Sequence, residues 1–160
     1  FIRPKELSDD FTGTNDVVKH AINWFIEHNI VVDYACCIYA TAPFVNQKYL
    51  KEGFEKLQSS NKSFAFSVTS FGYSIQKAFK INNNAISMFY PQYLMSRSQD
   101  LENAYHDAGQ FYWGKAQAFL DNEVMFSDKT IPVVLPRYLV QDIDTLEDWD
   151  RAELMYKALN

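Results

Sequence analysis

An apolar run in the first third of the sequence constrains the fold more than any other feature. Residues 31–40 read VVDYACCIYA and contain one charged side chain. Short, nearly continuous apolar runs are typical of strands that are buried on both faces, as in parallel sheets. Apolar residues also recur at helical spacing just before the run, where Thr14 can cap a helix that ends at about His28. The sequence therefore predicts a helix followed by a fully buried strand.

The rest of the chain continues this alternation of helical and strand periods. Helical spacing returns at residues 46–57 and again after Thr145, which we expect to cap the last helix. Residues 78–81 and 86–89 form a predicted hairpin around Asn82-Asn83-Asn84, because asparagine tolerates the left-handed backbone of a tight turn. Three further segments carry strand patterns, at residues 63–70, 110–113 and 132–136.

This order of elements predicts one α/β domain, residues 1–160, in which helices flank a mainly parallel sheet. A chain of 160 residues with 48% hydrophobic and 16% aromatic residues is large enough to bury a sizeable core. Such sheets bind ligands beyond the carboxyl ends of their strands. We therefore expect the chemistry just after Ile38, Tyr112 and Val140.

Charge and composition exclude several classes of function. The net charge of −5 argues against a nucleic-acid partner, and no apolar run approaches the roughly 18 to 20 residues of a membrane-spanning helix. The adjacent Cys36 and Cys37 are typical of small buried residues in a reducing compartment, so we expect a cytoplasmic protein without a membrane partner. A polyanionic substrate would need metal ions to offset its charge.

Two acidic residues lie just before the last predicted helix. In QDIDT, Asp142 and Asp144 alternate with Ile143, and on an extended backbone residues two apart project from one face, roughly 6 to 7 Å apart. A pair of carboxylates suits Mg²⁺, which binds hard oxygen ligands and retains waters that a phosphate can replace. The same carboxylates could instead cap the helix. The spacing alone leaves both interpretations open.

Two other clusters carry polar groups suited to a ligand. Arg97 offers a planar fork for a carboxylate or phosphate, and Gln99 offers a donor and an acceptor for sugar hydroxyls. The alternative is a solvated loop with an incidental Arg–Asp pair. Tyr39 and Thr41 lie at the end of the apolar run, at the expected ligand edge, although they could simply be turn residues that end the strand.

A last cluster surrounds the start of the first helix, where backbone N–H groups favour an anion or an acceptor-rich ring. Its members are Arg3, Thr12 and Thr14, and capping alone would account for Thr14. His106 beside Asp107 makes a poor base and orienter, because adjacent residues seldom face each other. The sequence contains no Gly-rich phosphate loop, no G-x-S-x-G elbow and no H-E-x-x-H motif.

Taken in order, four motifs resemble one family. RPKELSDDFTGT, IYATAPF, RSQDLENAYHDAGQFYWGK and QDIDTLEDW occur in the order and with the approximate separations found in the acylneuraminate cytidylyltransferases, which make CMP-activated nine-carbon acidic sugars. The resemblance spans essentially the whole chain. It is greatest to the branch that activates pseudaminic acid, because IYATAPF stands where the sialic acid enzymes have a Gln-Pro-Thr-Ser-Pro pattern.

The resemblance implies a three-layer α/β/α Rossmann-like fold of the nucleotide-diphospho-sugar transferase type. It also implies a reaction, in which CTP and a 2-keto sugar acid give the CMP-sugar and pyrophosphate with Mg²⁺ as cofactor. Asp142 and Asp144 match the family's catalytic metal-binding pair. The residues that match its substrate contacts are Arg3, Thr12 and Thr14 for the nucleotide, and Tyr39, Thr41, Arg97, Gln99, Tyr112 and Phe126 for the sugar acid.

Residues 71–107 resemble the family's dimerisation arm, so the resemblance also implies a homodimer. The aromatic residues Phe89, Tyr90 and Tyr93 of this segment would suit an interface if they are exposed.

One part of the family pattern does not occur in this sequence. Family members carry a strand and a loop of the type Ala-Arg-x-Gly-Ser-Lys that cradles the triphosphate, whereas this chain opens Phe-Ile-Arg-Pro. We therefore expect this chain alone to turn over CTP very slowly or not at all. Two alternatives stay open: a sialic or legionaminic acid cytidylyltransferase, and a non-catalytic dimerisation or ligand-binding fragment of such an enzyme.

Overall fold

Helices and strands follow one another in near alternation in the computed structural model, which describes residues 1–159. The elements are α1 (Thr14–Glu27), β1 (Tyr34–Ile38), α2 (Gln47–Gln58), β2 (Phe64–Ser70), β3 (Phe79–Asn82), β4 (Ala85–Met88), β5 (Tyr105–Lys115), α3 (Ala116–Leu120), β6 (Thr130–Leu135) and α4 (Leu146–Leu159). Among residues 1–159 there is no helix with the length and apolar character that crossing a bilayer requires.

Four strands form the central sheet in the order β1-β5-β2-β6. β2 and β6 pair in parallel, and β5 runs antiparallel to both of its neighbours, β1 and β2. Three of the four strands therefore point in the same direction, with β5 inserted against them. The predicted α/β class with a mainly parallel sheet is confirmed, and β5 is the antiparallel member.

Helices cover both faces of this sheet, which gives three layers. On one face Phe64 and Phe66 of β2 pack in a cluster with Ile22 of α1 and with α3. On the other face Ala65 of β2 joins a cluster with Leu57 of α2. Successive side chains of a strand point to opposite faces, so β2 is buried throughout even though its sequence alternates.

The apolar run at residues 31–40 forms a strand, but not the fully buried strand that it predicts. Within the described part of the chain, β1 lies at the edge of the sheet and pairs only with β5. Its side chains are half-buried, and Ile38 is 49% exposed. The run is apolar because Ala35 and Cys37 pack in the α1 cluster while Tyr34 packs in the α2 cluster. Burial of both faces produces the same pattern at an edge as at the centre.

Three smaller expectations are also wrong. Gly13, not Thr14, occupies the N-cap of α1, and Thr14 begins the helix. Tyr112 lies inside β5, which runs on to Lys115, so it marks no strand end. Val140 does not end a strand either. The last strand ends at Leu135, and a 3-10 turn at Arg137–Leu139 comes between it and Val140. Short apolar stretches fix neither the direction nor the end of a strand.

The predicted hairpin is present as the two-stranded sheet β3-β4. Asn83 and Asn84 take φ values of 49° and 60°, the left-handed backbone that a tight two-residue turn requires. The hairpin belongs to a long insert between β2 and β5, which are neighbours in the central sheet. The predicted cap of the last helix is also present, since the Asp148 N–H donates to Thr145 Oγ1 at 3.2 Å.

Candidate functional site

Two cavities lie side by side at one end of the sheet and share a single wall. The first, here the aromatic cavity, measures about 500 Å³ and includes Tyr39, Tyr112 and Phe126 in its lining. The second, here the acidic cavity, measures about 560 Å³ and includes Asp142 and Asp144. Of the residues that the structure describes, Asp107 alone lines both. Groups bound in the two cavities would therefore meet at Asp107.

The aromatic cavity brings together four of the residues predicted to bind substrate. Thr14 comes from the first turn of α1, Tyr39 directly follows β1, Tyr112 lies in β5, and Phe126 lies between α3 and β6. The hydroxyls of Thr14 and Tyr39 are hydrogen-bonded at 2.9 Å, and the Tyr39 and Tyr112 rings lie 5.0 Å apart. This hydroxyl bond replaces the capping role that the sequence suggested for Thr14.

Tyr112 is tied to the shared wall. Its hydroxyl donates to Asp107 Oδ2 at 2.7 Å, and only 6% of the residue is exposed. Burial, followed by the hydrogen bond to Asp107 and the charge of that carboxylate, raises the pKa of Tyr112 far above its ordinary value. The phenol therefore keeps its proton throughout the physiological range.

A bulge in β5 aims Asp107 at the two cavities. Phe66 and Val68, two apart on β2, face Tyr112 and Asp107, five apart on β5. Ser67 Oγ fills the gap by accepting the N–H groups of Gln110 and Phe111, at 3.3 and 3.2 Å. Bulges commonly re-aim a side chain next to a binding site.

Gly109 in this bulge also makes room for the acidic pair. Its φ is +62°, and a Cβ placed there would lie 2.7 Å from Asp142 Oδ2. Both the backbone conformation and the contact require glycine. The Gly109 N–H donates to Asp107 Oδ1 at 2.9 Å, so the same bulge fixes the shared wall.

The two predicted metal ligands share the acidic cavity, as the alternation in QDIDT led us to expect. Ile143 between them lines a different cavity, beside Pro43 and Trp149. Asp142 Oδ1 accepts the Thr41 hydroxyl at 3.2 Å and the Ile143 N–H at 3.1 Å. Thr41 therefore contacts the acidic pair, and its hydroxyl is not part of the aromatic cavity.

The helix cap is made by Thr145 and Asp148 together, which leaves the acidic pair for another use. Asp148 Oδ2 accepts both the hydroxyl and the N–H of Thr145, at 2.7 and 3.0 Å. These bonds, the hydroxyl first, hold the pKa of Asp148 below its ordinary value. Gln141 ties the cap to the loop, because its Nε2 donates to Asp148 Oδ1 and to the Asp142 carbonyl. Asp148 therefore largely fills the capping role that was one of the two interpretations of the acidic pair.

Sequence reasoning missed two arginines at the acidic cavity. Arg137 and Arg151 line it beside the carboxylates, yet within residues 1–159 neither forms an ion pair within 4.0 Å. Arg137 donates only a long bond of 3.5 Å, to the Phe71 carbonyl. No motif marks either arginine in the sequence, since only the packing of the chain carries them to this wall.

Four predicted binding residues lie away from both cavities. Arg3 donates to Ser8 Oγ at 3.1 Å, and Thr12 donates to Asp9 Oδ1 at 2.8 Å. Arg97 makes a two-pronged pair with Asp100, at 2.6 and 3.0 Å, in the insert between β2 and β5. Gln99 is exposed in the same 3-10 turn. Within one chain these residues do not join the others.

Asp107 is a functional candidate that the sequence analysis considered only as a partner of His106 and did not identify as a site residue. The sequence pairs it with His106, whose Nδ1 instead bonds the Asp107 backbone carbonyl at 2.8 Å. The Asp107 carboxylate turns to Tyr112, five residues along the strand. A glycine two residues after an acidic residue, inside a strand pattern, was the available signal of a bulge.

Comparison with known proteins gives a consistent set of relatives. The chain is 45% identical over 159 residues to the pseudaminic acid cytidylyltransferase of Campylobacter jejuni serotype O:2, covering 99% of this chain and 68% of that protein. The enzyme of serotype O:23/36 is 44% identical over the same shares. A Helicobacter pylori protein that combines this activity with a UDP-2,4-diacetamido-2,4,6-trideoxy-β-L-altropyranose hydrolase is 35% identical over 143 residues, covering 89% of this chain and 27% of that protein.

The fold has a counterpart among solved structures. A CMP:2-keto-3-deoxy-manno-octonic acid synthetase in complex with CTP superposes with a TM-score of 0.60 at 9% identity, covering 94% of this chain and 70% of that one. At that identity the likeness shows a shared fold alone. No protein-family model matches the chain.

Proposed function

The chain belongs to the pseudaminic acid cytidylyltransferase family, and on this premise we propose how its two cavities serve the transfer of CMP from CTP to a nine-carbon sugar acid. The acidic cavity takes the triphosphate, and the aromatic cavity takes the sugar acid. The observation that carries this assignment is the shared wall at Asp107, because transfer requires the two substrates to meet.

The donor set of the acidic cavity fits a magnesium ion. Asp142 and Asp144 supply hard oxygen ligands on one wall, and neither pairs with a basic side chain within residues 1–159. The described residues hold no group of three His, Cys, Asp or Glu side chains that could bind a metal unaided. This suits Mg²⁺, which is usually bound by one or two carboxylates, waters and substrate phosphates.

In the reaction, the anomeric hydroxyl oxygen of the sugar acid forms a bond to the α-phosphorus of CTP. The bond from that phosphorus to the α,β-bridging oxygen breaks, pyrophosphate leaves, and the proton of the anomeric hydroxyl passes to water. When bound, Mg²⁺ offsets negative charge on the phosphates. Arg137 and Arg151, which line the same cavity, contribute to the same end, since guanidinium groups bind phosphate oxygens in a two-pronged manner.

The aromatic cavity suits a sugar that carries apolar substituents as well as hydroxyls. Phe126 and Met125 offer apolar surface, while Thr14 and Tyr39 offer hydroxyls. The Helicobacter relative also acts on a diacetamido sugar, which supports acetamido groups on the sugar acid. Their methyl groups would pack on the aromatic wall, and their N–H groups would need acceptors.

The family reaction is tested by supplying CTP and Mg²⁺ with pseudaminic, sialic or legionaminic acid, and by measuring pyrophosphate release and the CMP-sugar formed. We expect CMP-pseudaminic acid as the main product. A faster reaction with sialic or legionaminic acid would contradict the sugar assignment. A complete lack of product over long incubation, together with no detectable binding of CTP, would favour the non-catalytic alternative.

A homodimer is supported by the hairpin β3-β4. Its strands place Phe79 and Ile81 opposite Met88 and Ile86, on one face, and Ile81 and Ile86 are 73% and 68% exposed. An apolar face of this kind in a monomer would contact water directly. A second copy of the chain, packed against this face, would cover it.

Sedimentation or light scattering of Ile81→Asp tests the dimer, since a charge on the apolar face opposes its burial. We expect the dimer to dissociate at least about ten times more readily. Ser87→Asp places the same charge on the opposite face of the hairpin and serves as the matched control. Equal dissociation of both variants, or a wild-type monomer, would contradict this interface.

We also place the protein in the cytoplasm. Cys36 and Cys37 are free thiols, and burial, followed by the neighbouring Cys37, raises the pKa of Cys36 to about 12. Thiols that stay protonated and unpaired suit a reducing compartment.

A further inference from the structure

The hydrogen bond between Tyr112 and Asp107 has a fixed direction. A carboxylate accepts hydrogen bonds and donates none, so the Tyr112 hydroxyl is the donor in the 2.7 Å contact with Asp107 Oδ2. The phenolic proton is thereby committed. What Tyr112 can still offer to a molecule in the aromatic cavity is a lone pair on its oxygen.

The geometry around this bond is held in place on both sides. Asp107 Oδ1 accepts the Gly109 N–H at 2.9 Å, which uses the other carboxylate oxygen and restrains rotation of the carboxylate. The Tyr112 ring packs between Tyr39 and Phe66, with centroid distances of 5.0 and 5.7 Å. The direction of the bond therefore cannot be reversed by a simple side-chain rotation.

The other hydroxyls of the cavity lack this restriction. Thr14 and Tyr39 bond each other at 2.9 Å, and either atom can be the donor. That pair can adapt to a donor or an acceptor on the ligand. Tyr112 differs, since its own proton goes to a pure acceptor, Asp107, and the Tyr39 hydroxyl, which also bonds Tyr112, can then only donate to it.

We infer that Asp107 is a positioning residue that makes the Tyr112 oxygen an obligatory hydrogen-bond acceptor, and so selects sugar acids that present an N–H or O–H donor to it. The inference rests on the proposed function, in which the aromatic cavity holds the sugar acid. An acetamido N–H is the donor expected from the substrate class. A sugar that offers only an acceptor at this point would leave two acceptors facing each other, which costs the affinity of a hydrogen bond.

The test measures binding by titration calorimetry, with pseudaminic acid and with analogues in which each acetamido N–H in turn is replaced by an ester oxygen. These analogues keep the size of the group and remove its donor. The wild-type protein should bind the parent acid about five to ten times more tightly than one of the analogues, the effect of one hydrogen bond.

Two variants separate positioning from a structural role. Tyr112→Phe removes the acceptor, and Asp107→Asn keeps the size of the side chain but allows its amide to donate to the Tyr112 oxygen. Both should reduce the preference for the parent acid to less than about twofold. Tyr138→Phe and Asp150→Asn, at exposed positions outside both cavities, are matched controls and should keep it.

The outcomes distinguish this inference from the proposed function. An undiminished preference in either variant, or equal wild-type binding of parent and analogues, would overturn the inference while leaving the function intact. A preference that the variants abolish, in a protein that forms no CMP-sugar, would support the inference and contradict the transfer reaction. Failure of the wild-type protein to bind any sugar acid would overturn both.

Discussion

The two cavities hold their polar groups in opposite ways. In the aromatic cavity the hydroxyls already have partners within the protein, with Thr14 bonded to Tyr39 and Tyr112 bonded to the Asp107 carboxylate. In the acidic cavity, Asp144 and Arg151 line the same space, and no ion pair joins them within the described residues. The first arrangement is complete without a ligand, and the second suits a charged ligand that would neutralise it.

This difference predicts that substitutions in the acidic cavity affect activity more than stability. Asp142→Asn and Asp144→Asn should each lower CMP transfer at least about 100-fold, because a metal ligand is lost. The thermal midpoint should change little, since neither carboxylate holds an ion pair. Steady-state kinetics at several Mg²⁺ concentrations and a melting curve provide the measurements.

Asp150→Asn, on the exposed face of α4, is the matched control for both variants and should remain active. Unchanged rates and unchanged Mg²⁺ dependence in Asp142→Asn and Asp144→Asn would remove the metal assignment.

Gly109→Ala should damage both cavities at once, because the bulge supports the shared wall and the acidic pair. The left-handed backbone alone costs roughly 1 to 2 kcal/mol for a residue with a Cβ. The new methyl group would also lie only 2.7 Å from Asp142 Oδ2, so the Asp142 side chain would have to move. We expect a lower free energy of unfolding in urea together with weaker Mg²⁺ dependence of the rate.

Gly72→Ala is the comparison for this variant, since its Cβ would meet only the end of the Arg137 side chain, at 3.2 Å. If the two variants were equally stable, the strain assigned to Gly109 would be incorrect.

Tyr39→Phe should affect stability more than activity, the reverse of what is expected for substitutions of the acidic pair. It removes the partner of the Thr14 hydroxyl, so the free energy of unfolding should fall by about 1 kcal/mol, the net value of one hydrogen bond. Tyr138→Phe, at an exposed position, should not change it. A stability of Tyr39→Phe equal to the wild type would mean that the aromatic cavity is not held by its own hydroxyls.

The smallest effect concerns the cap that Asp148 provides next to the acidic cavity. Its folded-state pKa is lowered, chiefly by the Thr145 hydroxyl, so its contribution is present above the unfolded value of 3.8 and is lost as the pH falls through the folded value. The urea midpoints of wild type and Asp148→Asn should therefore differ at pH 7 and converge as the pH falls below 3.8 and through the folded-state pKa of Asp148. A difference that persists at the lower pH would show that the charge of Asp148 is not involved.

The sequence predicted what depends on local pattern. Helical spacing located α1, α2 and α4, and Asn83-Asn84 located the hairpin turn, because these signals lie within a few residues of one another. The alternation of Asp142 and Asp144 around Ile143 also predicted that the two residues share a side, and both line the acidic cavity while Ile143 lines another. Each of these inferences uses only the geometry of a single segment.

What the sequence could not provide depends on the pairing of distant segments. The edge position of β1 and the reversed direction of β5 follow from sheet order, which no single strand encodes. Asp107 reaches Tyr112 only because the bulge changes the register of β5 against β2. The roles of Arg3, Thr12, Arg97 and Gln99 stay predictions, since one chain does not bring them to either cavity.

The assignment of the triphosphate to the acidic cavity and of the sugar acid to the aromatic cavity is tested most directly by a crystal structure. The crystals are grown with CTP and Mn²⁺, which replaces Mg²⁺ at oxygen-rich sites. We predict an anomalous peak for Mn²⁺ between the carboxylates of Asp142 and Asp144, with the triphosphate in the acidic cavity and the aromatic cavity left for the sugar acid. A metal peak elsewhere, or a triphosphate lying between Tyr39 and Phe126, would contradict it.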